Sequence, residues 1–530
     1  MTFDKKFFRQ PKIAIPFLSA VTVGLLAHFP VMSSNLPNAD AMSNFYFDQN
    51  MVTSGRWFLT VVCGISSYFD LKWVIGVLSI LYLALSAILL TEFFEIKDKI
   101  AMGLVSALLV SFPAVAATFA YMYTADGYYL AFSFSVLAAL LTKKYKKSGW
   151  ALGALLLSLS MGTYQAYLAA TILLCLFDLI LLCMEDRQVK EILFLGLRYL
   201  GMGVLGGILY FVVLKICLAA QGKVLDTYQG ISSMGKMPLS EIPGRILEVY
   251  RDFAGFIRNG KVFYLNGFSF VSMVLLTVAF IGLAVVYMAY TKAYKKWVLW
   301  LLIFVFVMML PLGTNVILLI SSEAFYHLLM RMQWVLYPIL AVVLTDRVLA
   351  LYEERSREKK EEKKKRIHFV PTAALLAAAG SLFLIWQFVL ADNIAYFNMN
   401  ERYEKTYAYL LRIADRIEQT EGYYTGMPVM MIGVVDEAKY PKTDITGDVT
   451  ERIYGATGDI LVYKGEQYKA FMEHYLNVSL NVITDEDIIV EIYNSDAYRE
   501  MDSFPAKDSI KIADGVLYVK TEVPEWAVGE

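Results

Sequence analysis

Apolar residues in this chain come in blocks of about 20, which is the length that most constrains what it can fold into. The blocks fall at residues 13–31, 71–91, 100–120, 127–142, 148–163, 165–184, 192–219, 267–290, 297–320, 332–349 and 369–391. A helix of that length and character crosses the hydrocarbon core of a bilayer. With 58% hydrophobic and only 18% charged residues, the chain also carries more apolar surface than a soluble domain tolerates. We predict a polytopic α-helical membrane protein with about eleven spans.

The basic residues of the short loops predict the orientation of these spans. Lysines cluster at 143–147 and 292–296, and a mixed run rich in Lys and Arg occupies 355–366. Cytoplasmic loops carry such an excess, so the N-terminus is expected inside, with outside loops at 32–57 and 220–266. The first block follows several basic residues like a signal peptide, but many spans and no small-residue cleavage site follow it. We interpret it as a retained helix.

An odd number of spans leaves residues 392–530 outside, beyond a membrane domain of residues 1–391. The composition there becomes polar and charged. Helical patterns are expected near 398–420, 465–475 and 495–502, and strands at 428–435, 459–463, 488–493 and 515–521. This alternation predicts a small C-terminal extracytoplasmic α/β domain.

Polar residues that suit chemistry gather at the predicted outer face. They are Asp40, Asp48, Arg56, Trp57, Asp126, Tyr164, Gln165, Glu323, His327, Arg331, Asp392 and Asn393. Carboxylates that accept a hydroxyl proton, cations that neutralise a phosphate and aromatic rings that stack on sugars would together serve sugar transfer from a lipid phosphate. The sequence therefore predicts a sugar-transfer site at this face.

Each role follows from side-chain chemistry. Asp40 is the expected general base, and Asp48, about two helical turns further on, is the alternative. Donor phosphate is assigned to Arg56, Arg331 and His327, the last two being four residues apart on one helical face. Sugar or acceptor binding is assigned to Trp57, Asp126, Tyr164 and Gln165.

Structural roles stay open beside these functional ones. Asp40 would also suit a helix N-cap, and Arg56 with Trp57 a membrane-interface anchor. Tyr164 and Gln165 would suit interhelical hydrogen bonding.

At these residues the sequence resembles the serotype-converting O-antigen glucosyltransferases, Gtr type II. The resembling pieces are the Asp40 loop with Ser54–Leu59, the segments Tyr123–Tyr128 and Gly162–Ala166, and the stretch from Asp392 to Pro428–Gly433. Members of this family often carry two adjacent acids in the first loop. Here Ala39 precedes Asp40, which leaves a single acid.

The resemblance implies a multi-pass protein of a bacterial cell membrane in the GT-C class of glycosyltransferases. It implies an inverting transfer of a sugar, with glucose favoured, from a polyprenyl-phosphate donor. It further implies a flippase and a polyprenyl-phosphate glucosyltransferase as partners. O-antigen, a cell wall polysaccharide and a teichoic acid remain open as the extracytoplasmic acceptor.

Other functions remain open as well. A membrane polysaccharide polymerase or ligase would use the arginine-bearing loop 220–266, and a flippase or transporter of lipid-linked sugar would carry out no chemistry. The chain has no P-loop, dinucleotide fingerprint or HExxH motif, so neither a cofactor nor a metal is expected. A net charge of −1 gives no reason to expect nucleic acid as a partner.

Overall fold

The architecture is taken from a computed structural model. It describes residues 10–233, 238–258, 263, 266–321, 324–358, 369–432, 446, 449, 453, 455–458, 460–462 and 464–521. Within these residues, nine helices are long and apolar enough to cross a membrane, and one bent pair would make a tenth span. The prediction of a many-helix membrane protein with a small C-terminal sheet region is confirmed.

The helices follow the predicted apolar blocks closely. In chain order they are α1 (Pro11–Ser33), α2 (Leu59–Cys63), α3 (Lys72–Phe93), α4 (Lys99–Ser111), α5 (Pro113–Phe119), α6 (Ala125–Lys144), α7 (Gly149–Thr163), α8 (Leu168–Met184), α9 (Val189–Gln221), α10 (Ile242–Arg258), α11 (Gly267–Thr291), α12 (Trp297–Thr314), α13 (Val316–Ile320), α14 (Leu336–Glu358) and α15 (Phe369–Glu418).

Three of the predicted spans differ from a single long helix. The block at 297–320 is divided into α12 and α13 at Asn315. The block at 100–120 is the bent pair α4 and α5, which meet at 41°. Pro113 has no N–H and disfavours helical backbone at Phe112 before it, and Phe112 is accordingly extended, with ψ 131°. The block at 148–163 is α7, which has only 15 residues.

The chain divides into two compact units. The membrane unit comprises Met1–Ser33 and Phe47–Asn393, and the small unit comprises Ser34–Tyr46 and Ile394–Glu530. The residues of α15 are shared between them. The first loop is also divided between the units, because its first half, Ser34–Tyr46, belongs with the C-terminal residues. No residue pattern in the loop predicted this division.

Small residues let the helices of the membrane unit approach one another. A Cβ at Gly153 in α7 would lie 2.4 Å from the hydroxyl of Thr142 and 2.8 Å from the carbonyl of Ala138, both in α6. Close backbone approach through such residues is the usual way in which membrane helices pack.

The small unit is built on a four-stranded sheet of order β2-β1-β4-β3. Its strands are β1 (Pro428–Ile432), β2 (Asn481–Val482), β3 (Ile510–Ala513) and β4 (Val516–Lys520). The central strand β1 runs parallel to β2 and β4, while β3 pairs antiparallel with β4. Helices α16 (Gly465–Leu476), α17 (Glu486–Asn494) and α18 (Asp496–Arg499) complete the unit.

The predicted strand at 488–493 is wrong, because these residues form α17. The branched residues of the segment favour a strand. However, the Asp485 carboxylate accepts hydrogen bonds from the N–H groups of Asp487 and Ile488 and so begins a helix. Residues 460–462 of another predicted strand lie outside any strand. The strands at 428 and 516 begin close to where they were predicted.

Candidate functional site

Gly55 holds a tight turn in the first loop of the membrane unit. Its φ is +78°, and a Cβ there would lie 2.6 Å from both the Gln165 amide nitrogen and the Tyr210 hydroxyl. Those two groups secure the turn. The Gln165 amide donates to the carbonyl of Ser54 at 3.0 Å, and the Tyr210 hydroxyl donates to the carbonyl of Gly55 at 3.0 Å. The interhelical hydrogen bonding considered for Gln165 is therefore present.

The turn directs Arg56 toward a pair of tyrosines. The rings of Tyr128 and Tyr164 are stacked with their centroids 4.1 Å apart. Arg56 donates from Nη1 to the Tyr128 hydroxyl at 3.0 Å, and its guanidinium carbon lies 5.3 Å from the centroid of the Tyr164 ring. A guanidinium on aromatic faces is stabilised by the ring quadrupoles. We call Arg56, Tyr128 and Tyr164 the arginine–tyrosine cluster.

Trp57 is fixed next to this cluster by a glycine. A Cβ at Gly162 would lie 2.4 Å from the indole ring, and the N–H of Phe58 donates to the carbonyl of Gly162 at 2.7 Å. The indole nitrogen of Trp57 is buried and has no hydrogen-bond partner within the described part of the chain. It is an available donor for a polar ligand group.

Asp126 is buried at the start of α6. Its Oδ1 accepts the N–H of Gly127 at 2.9 Å, whereas Oδ2 has no hydrogen-bond partner among the residues that the structure describes. The nearby Ser66 hydroxyl donates instead to the carbonyl of Cys63 at 3.1 Å. Burial, reinforced by the charge of Asp126, raises the pKa of the Cys63 thiol. Asp126 thus has an unused acceptor atom beside α2.

Arg331 lies at a different position and already has an anionic partner. Its Nη1 and Nη2 donate to the two carboxylate oxygens of Asp252 at 2.7 and 2.8 Å, and its Nε donates to the carbonyl of Tyr326 at 3.2 Å. The guanidinium also stacks on Tyr326, 3.8 Å from the ring centroid. This two-pronged geometry is the one that arginine offers to a phosphate.

His327 does not share a helical face with Arg331. Residues 324–327 are irregular, and only one turn of 3₁₀ helix, Leu328–Met330, separates the two side chains. Loss of solvent around the imidazole lowers the pKa of His327 to about 4, so it is neutral at pH 7 and brings no charge to a phosphate. Glu323, considered with it, lies outside the described residues.

Asp48 is exposed in the membrane unit. Its Oδ1 accepts the N–H of Asn50 at 3.0 Å, which closes a local turn. The helix predicted after Asp40 is only the three-residue 3₁₀ turn Ala41–Ser43. Asp48 is therefore not two helical turns beyond Asp40.

Asp40 belongs to the small unit, on a well-packed segment. Its side chain makes no capping hydrogen bond, because Asn38 accepts the N–H of Ala41 at 2.7 Å. Met42 lies in the core of the unit, and Ala39 packs against that core. Partial burial raises the pKa of Asp40 and the charge of Lys464 opposes the rise. The backbone that bears Asp40 is thus held by its packed neighbours, and the side chain is accessible.

Asp392 is a further acid of the membrane unit, fully buried in α15. Neither carboxylate oxygen has a hydrogen-bond partner within the described ranges, and Oδ2 lies 4.0 Å from Nε2 of His28 in α1. That nitrogen donates to the carbonyl of Val110 at 2.8 Å. Neighbouring Asn393 donates to the carbonyl of Ala27 at 3.2 Å.

The structure thus groups some of the predicted residues and separates others. Arg56, Trp57, Tyr164 and Gln165 form one neighbourhood, while Arg331 lies with Asp252 and Tyr326. Sequence reasoning missed Tyr128, Tyr210, Asp252 and Lys464. Only Tyr128 had a visible signal, because it ends the segment Tyr123–Tyr128 that resembles the Gtr type II family.

The fold and the site together define the protein as a many-helix membrane protein with an arginine–tyrosine cluster where the first loop meets α6 and α7. The model of the glucosyl transferase GtrII family matches residues 29–345, which is more than half of the chain. The chain belongs to this family and is a membrane glycosyltransferase. The match includes every proposed catalytic and ligand residue from Asp40 to Arg331 and ends before Asp392.

Two solved structures with partial likeness come from an archaeon. An oligosaccharyltransferase AglB from Archaeoglobus fulgidus, in complex with an inhibitory peptide and a dolichol-phosphate, has 13% identity and a TM-score of 0.36 over 87% of this chain. An apo form of the Archaeoglobus fulgidus oligosaccharyltransferase has 11% identity and a TM-score of 0.39 over 93%. This chain spans 65% and 69% of their lengths. No curated protein matches the sequence.

Proposed function

We propose that the protein transfers a sugar, with glucose as the first donor to test, from a polyprenyl phosphate to a cell-surface polysaccharide or teichoic acid. The observation that carries this proposal is the arginine–tyrosine cluster. A cation on aromatic faces, with an unpartnered indole N–H beside it, suits a phosphate joined to a sugar ring. Membership in the glucosyl transferase GtrII family supports the same reaction class.

In the proposed reaction, a hydroxyl oxygen of the acceptor attacks the anomeric carbon. The bond between that carbon and the phosphate oxygen breaks, and prenyl phosphate leaves with the electron pair. The hydroxyl proton passes to a carboxylate. Attack from the face opposite the leaving group inverts the anomeric configuration. No nucleotide or metal cofactor is required by this scheme.

Arg56 and Arg331 are the proposed phosphate ligands. Arginine meets phosphate with two parallel hydrogen bonds, and its charge stabilises the leaving group as negative charge develops on it. Neutral His327 would contribute a hydrogen bond at most. Arg56→Lys keeps the charge but loses the fork, so donor binding should weaken.

Asp40 is the proposed general base, and Asp48 is the alternative. A base works best when its pKa approaches the working pH, and the pKa of Asp40 is raised by burial. The local packing of Met42 and Ala39 supports a fixed carboxylate. Asp48 already uses Oδ1 to close its own turn.

Trp57, Asp126 and Tyr164 are the proposed sugar or acceptor ligands. The indole N–H of Trp57 and Oδ2 of Asp126 are buried polar atoms that a sugar hydroxyl would satisfy. Both amide hydrogens of Gln165 are used at the Gly55 turn, since the amide also reaches the Tyr210 hydroxyl at 3.2 Å. Gln165 therefore acts on the ligand only through its carbonyl or through the turn.

The proposal places the reaction at the extracytoplasmic face, with a cytoplasmic N-terminus and the small unit outside. Positive-inside loops support that orientation. A flippase and a polyprenyl-phosphate glucosyltransferase would supply the donor.

The test is to incubate the purified protein in lipid vesicles with polyprenyl-phosphate glucose and an acceptor glycan and to measure prenyl-phosphate release. Wild type should release prenyl phosphate, and Arg56→Lys should require a higher donor concentration to reach the same release rate. Arg187→Lys is the matched control, because Arg187 is exposed and pairs with Glu185 at 3.2 Å, away from the cluster. The proposal is refuted if no polyprenyl-phosphate sugar gives release.

A further inference from the structure

Helix α10 carries the carboxylate that occupies Arg331. It has 17 residues, and among them only Val249 and Phe256 are fully buried. Ile246, Leu247 and Ile257 stay exposed. Phe253 and Phe256 pack on Trp334 along one face of the helix, so the described residues hold α10 by one face and leave the other uncovered.

Arg331, in contrast, is firmly held. It is 7% exposed, and its guanidinium carbon lies 3.8 Å from the ring centroid of Tyr326, which is outside α10. Its Nε is anchored by the carbonyl of Tyr326. If the ion pair opens, the helix that bears Asp252 is the part that moves.

The carboxylate of Asp252 makes the same two-pronged contact on Arg331 that a phosphate would make. Nη1 and Nη2 each donate to one of its oxygens, and the Asn315 amide supports Oδ2 at 2.9 Å. A guanidinium fork accepts a carboxylate or a phosphate in the same geometry. The two anions cannot take this fork at once.

We propose that Asp252 is an internal competitor for the donor phosphate and that donor binding displaces it from Arg331 and loosens α10. This inference rests on the proposed function, since it takes Arg331 as a phosphate ligand. It makes Asp252 a gating residue of the donor site. Arg331 stays paired with Asp252 while no donor is bound, and the mobility of α10 increases when the donor binds.

Competition between Asp252 and the donor phosphate sets the expected change in the dissociation constant. When the binding-competent form is only a fraction of the population, the apparent dissociation constant rises by the inverse of that fraction. If Asp252 occupies the fork about nine-tenths of the time, its removal should tighten binding about tenfold. A pair that serves only stability predicts a lower unfolding temperature without tighter binding, because removing one partner leaves a buried charge behind.

The experiment measures binding of a polyprenyl phosphate without sugar to the full chain in vesicles. Asp252→Asn should lower its dissociation constant about tenfold, and Arg331→Lys should raise it, alone or combined with Asp252→Asn. Glu248→Gln is the matched control. It makes the same carboxylate-to-amide change one turn away on α10, where Glu248 pairs with Arg245, and should leave binding unchanged.

Unchanged or weaker binding in Asp252→Asn, with wild-type thermal stability, overturns the competition while the proposed function stands. No binding by wild type or by any variant refutes the donor assignment itself. Hydrogen–deuterium exchange of wild-type residues 242–258 provides a second readout that does not depend on the folding of Asp252→Asn. Exchange should increase when prenyl phosphate is added, and unchanged or slower exchange contradicts the inference.

Discussion

Gly55→Ala should damage the arginine–tyrosine cluster through the backbone. The residue has φ +78°, a conformation that costs an L-residue roughly 1–2 kcal/mol. The new Cβ would also lie 2.6 Å from both Gln165 Nε2 and Tyr210 Oη. Moving these groups removes up to two hydrogen bonds, each contributing about 1 kcal/mol. The expected loss of stability is about 1–4 kcal/mol.

Function should suffer more than stability. Arg56 follows Gly55 directly, and a shift of about 1 Å in a positioning group can lower turnover about 100-fold. The assay compares prenyl-phosphate release with thermal unfolding for Gly55→Ala and for Gly207→Ala. Gly207 lies in α9, as Tyr210 does, and a Cβ there meets no atom within 4 Å, so this control should behave as wild type. Wild-type turnover in Gly55→Ala would refute the reasoning about the turn.

Three further predictions concern charged and titratable groups. Lys464→Met should move the acid limb of the pH–rate profile to higher pH, because the lysine lowers the pKa of Asp40. Lys464→Arg should return the acid limb to its wild-type position. An unmoved limb in Lys464→Met argues against Asp40 as the base. Folding lowers the pKa of His327 from an ordinary 6.5 to about 4. Between these two pH values the unfolded chain binds a proton at His327 that the folded chain does not bind. The stability that His327 contributes above pH 6.5 is therefore lost as the pH falls toward 4. Thermal unfolding should therefore become less acid-sensitive in His327→Gln, and an identical pH dependence would contradict this. Asp392→Asn should keep the wild-type unfolding temperature, since neither carboxylate oxygen accepts a hydrogen bond in the described residues; a large drop would indicate that the charge has a partner.

Sequence reasoning succeeded where composition decides the structure. The apolar blocks located the spans because burial of a helix in lipid requires a continuous apolar run. The same reasoning misread 488–493, where the cap at Asp485 decided between helix and strand against the propensity of Ile488 and Ile489.

The grouping of loops at one membrane face could be predicted, because the order of the spans determines which loops share a face. The first loop and the loops after α5 and α7 were expected at one face, and Arg56, Tyr128 and Tyr164 do meet. The pairing of Arg331 with Asp252 joins residues 79 positions apart. Such contacts depend on how helices pack, which residue patterns do not encode. Likewise, nothing in the pattern assigned Asp40 to the unit that contains Lys464.

The turnover of Asp40→Asn, measured beside donor binding, tests the central claim most directly. The account predicts wild-type folding and donor affinity with turnover lower by roughly 10²–10⁴, because asparagine keeps the shape but cannot take the proton. Asp48→Asn is the matched variant and should retain most of its activity. Near-normal turnover in Asp40→Asn together with an inactive Asp48→Asn would contradict the account and move the catalytic role to Asp48.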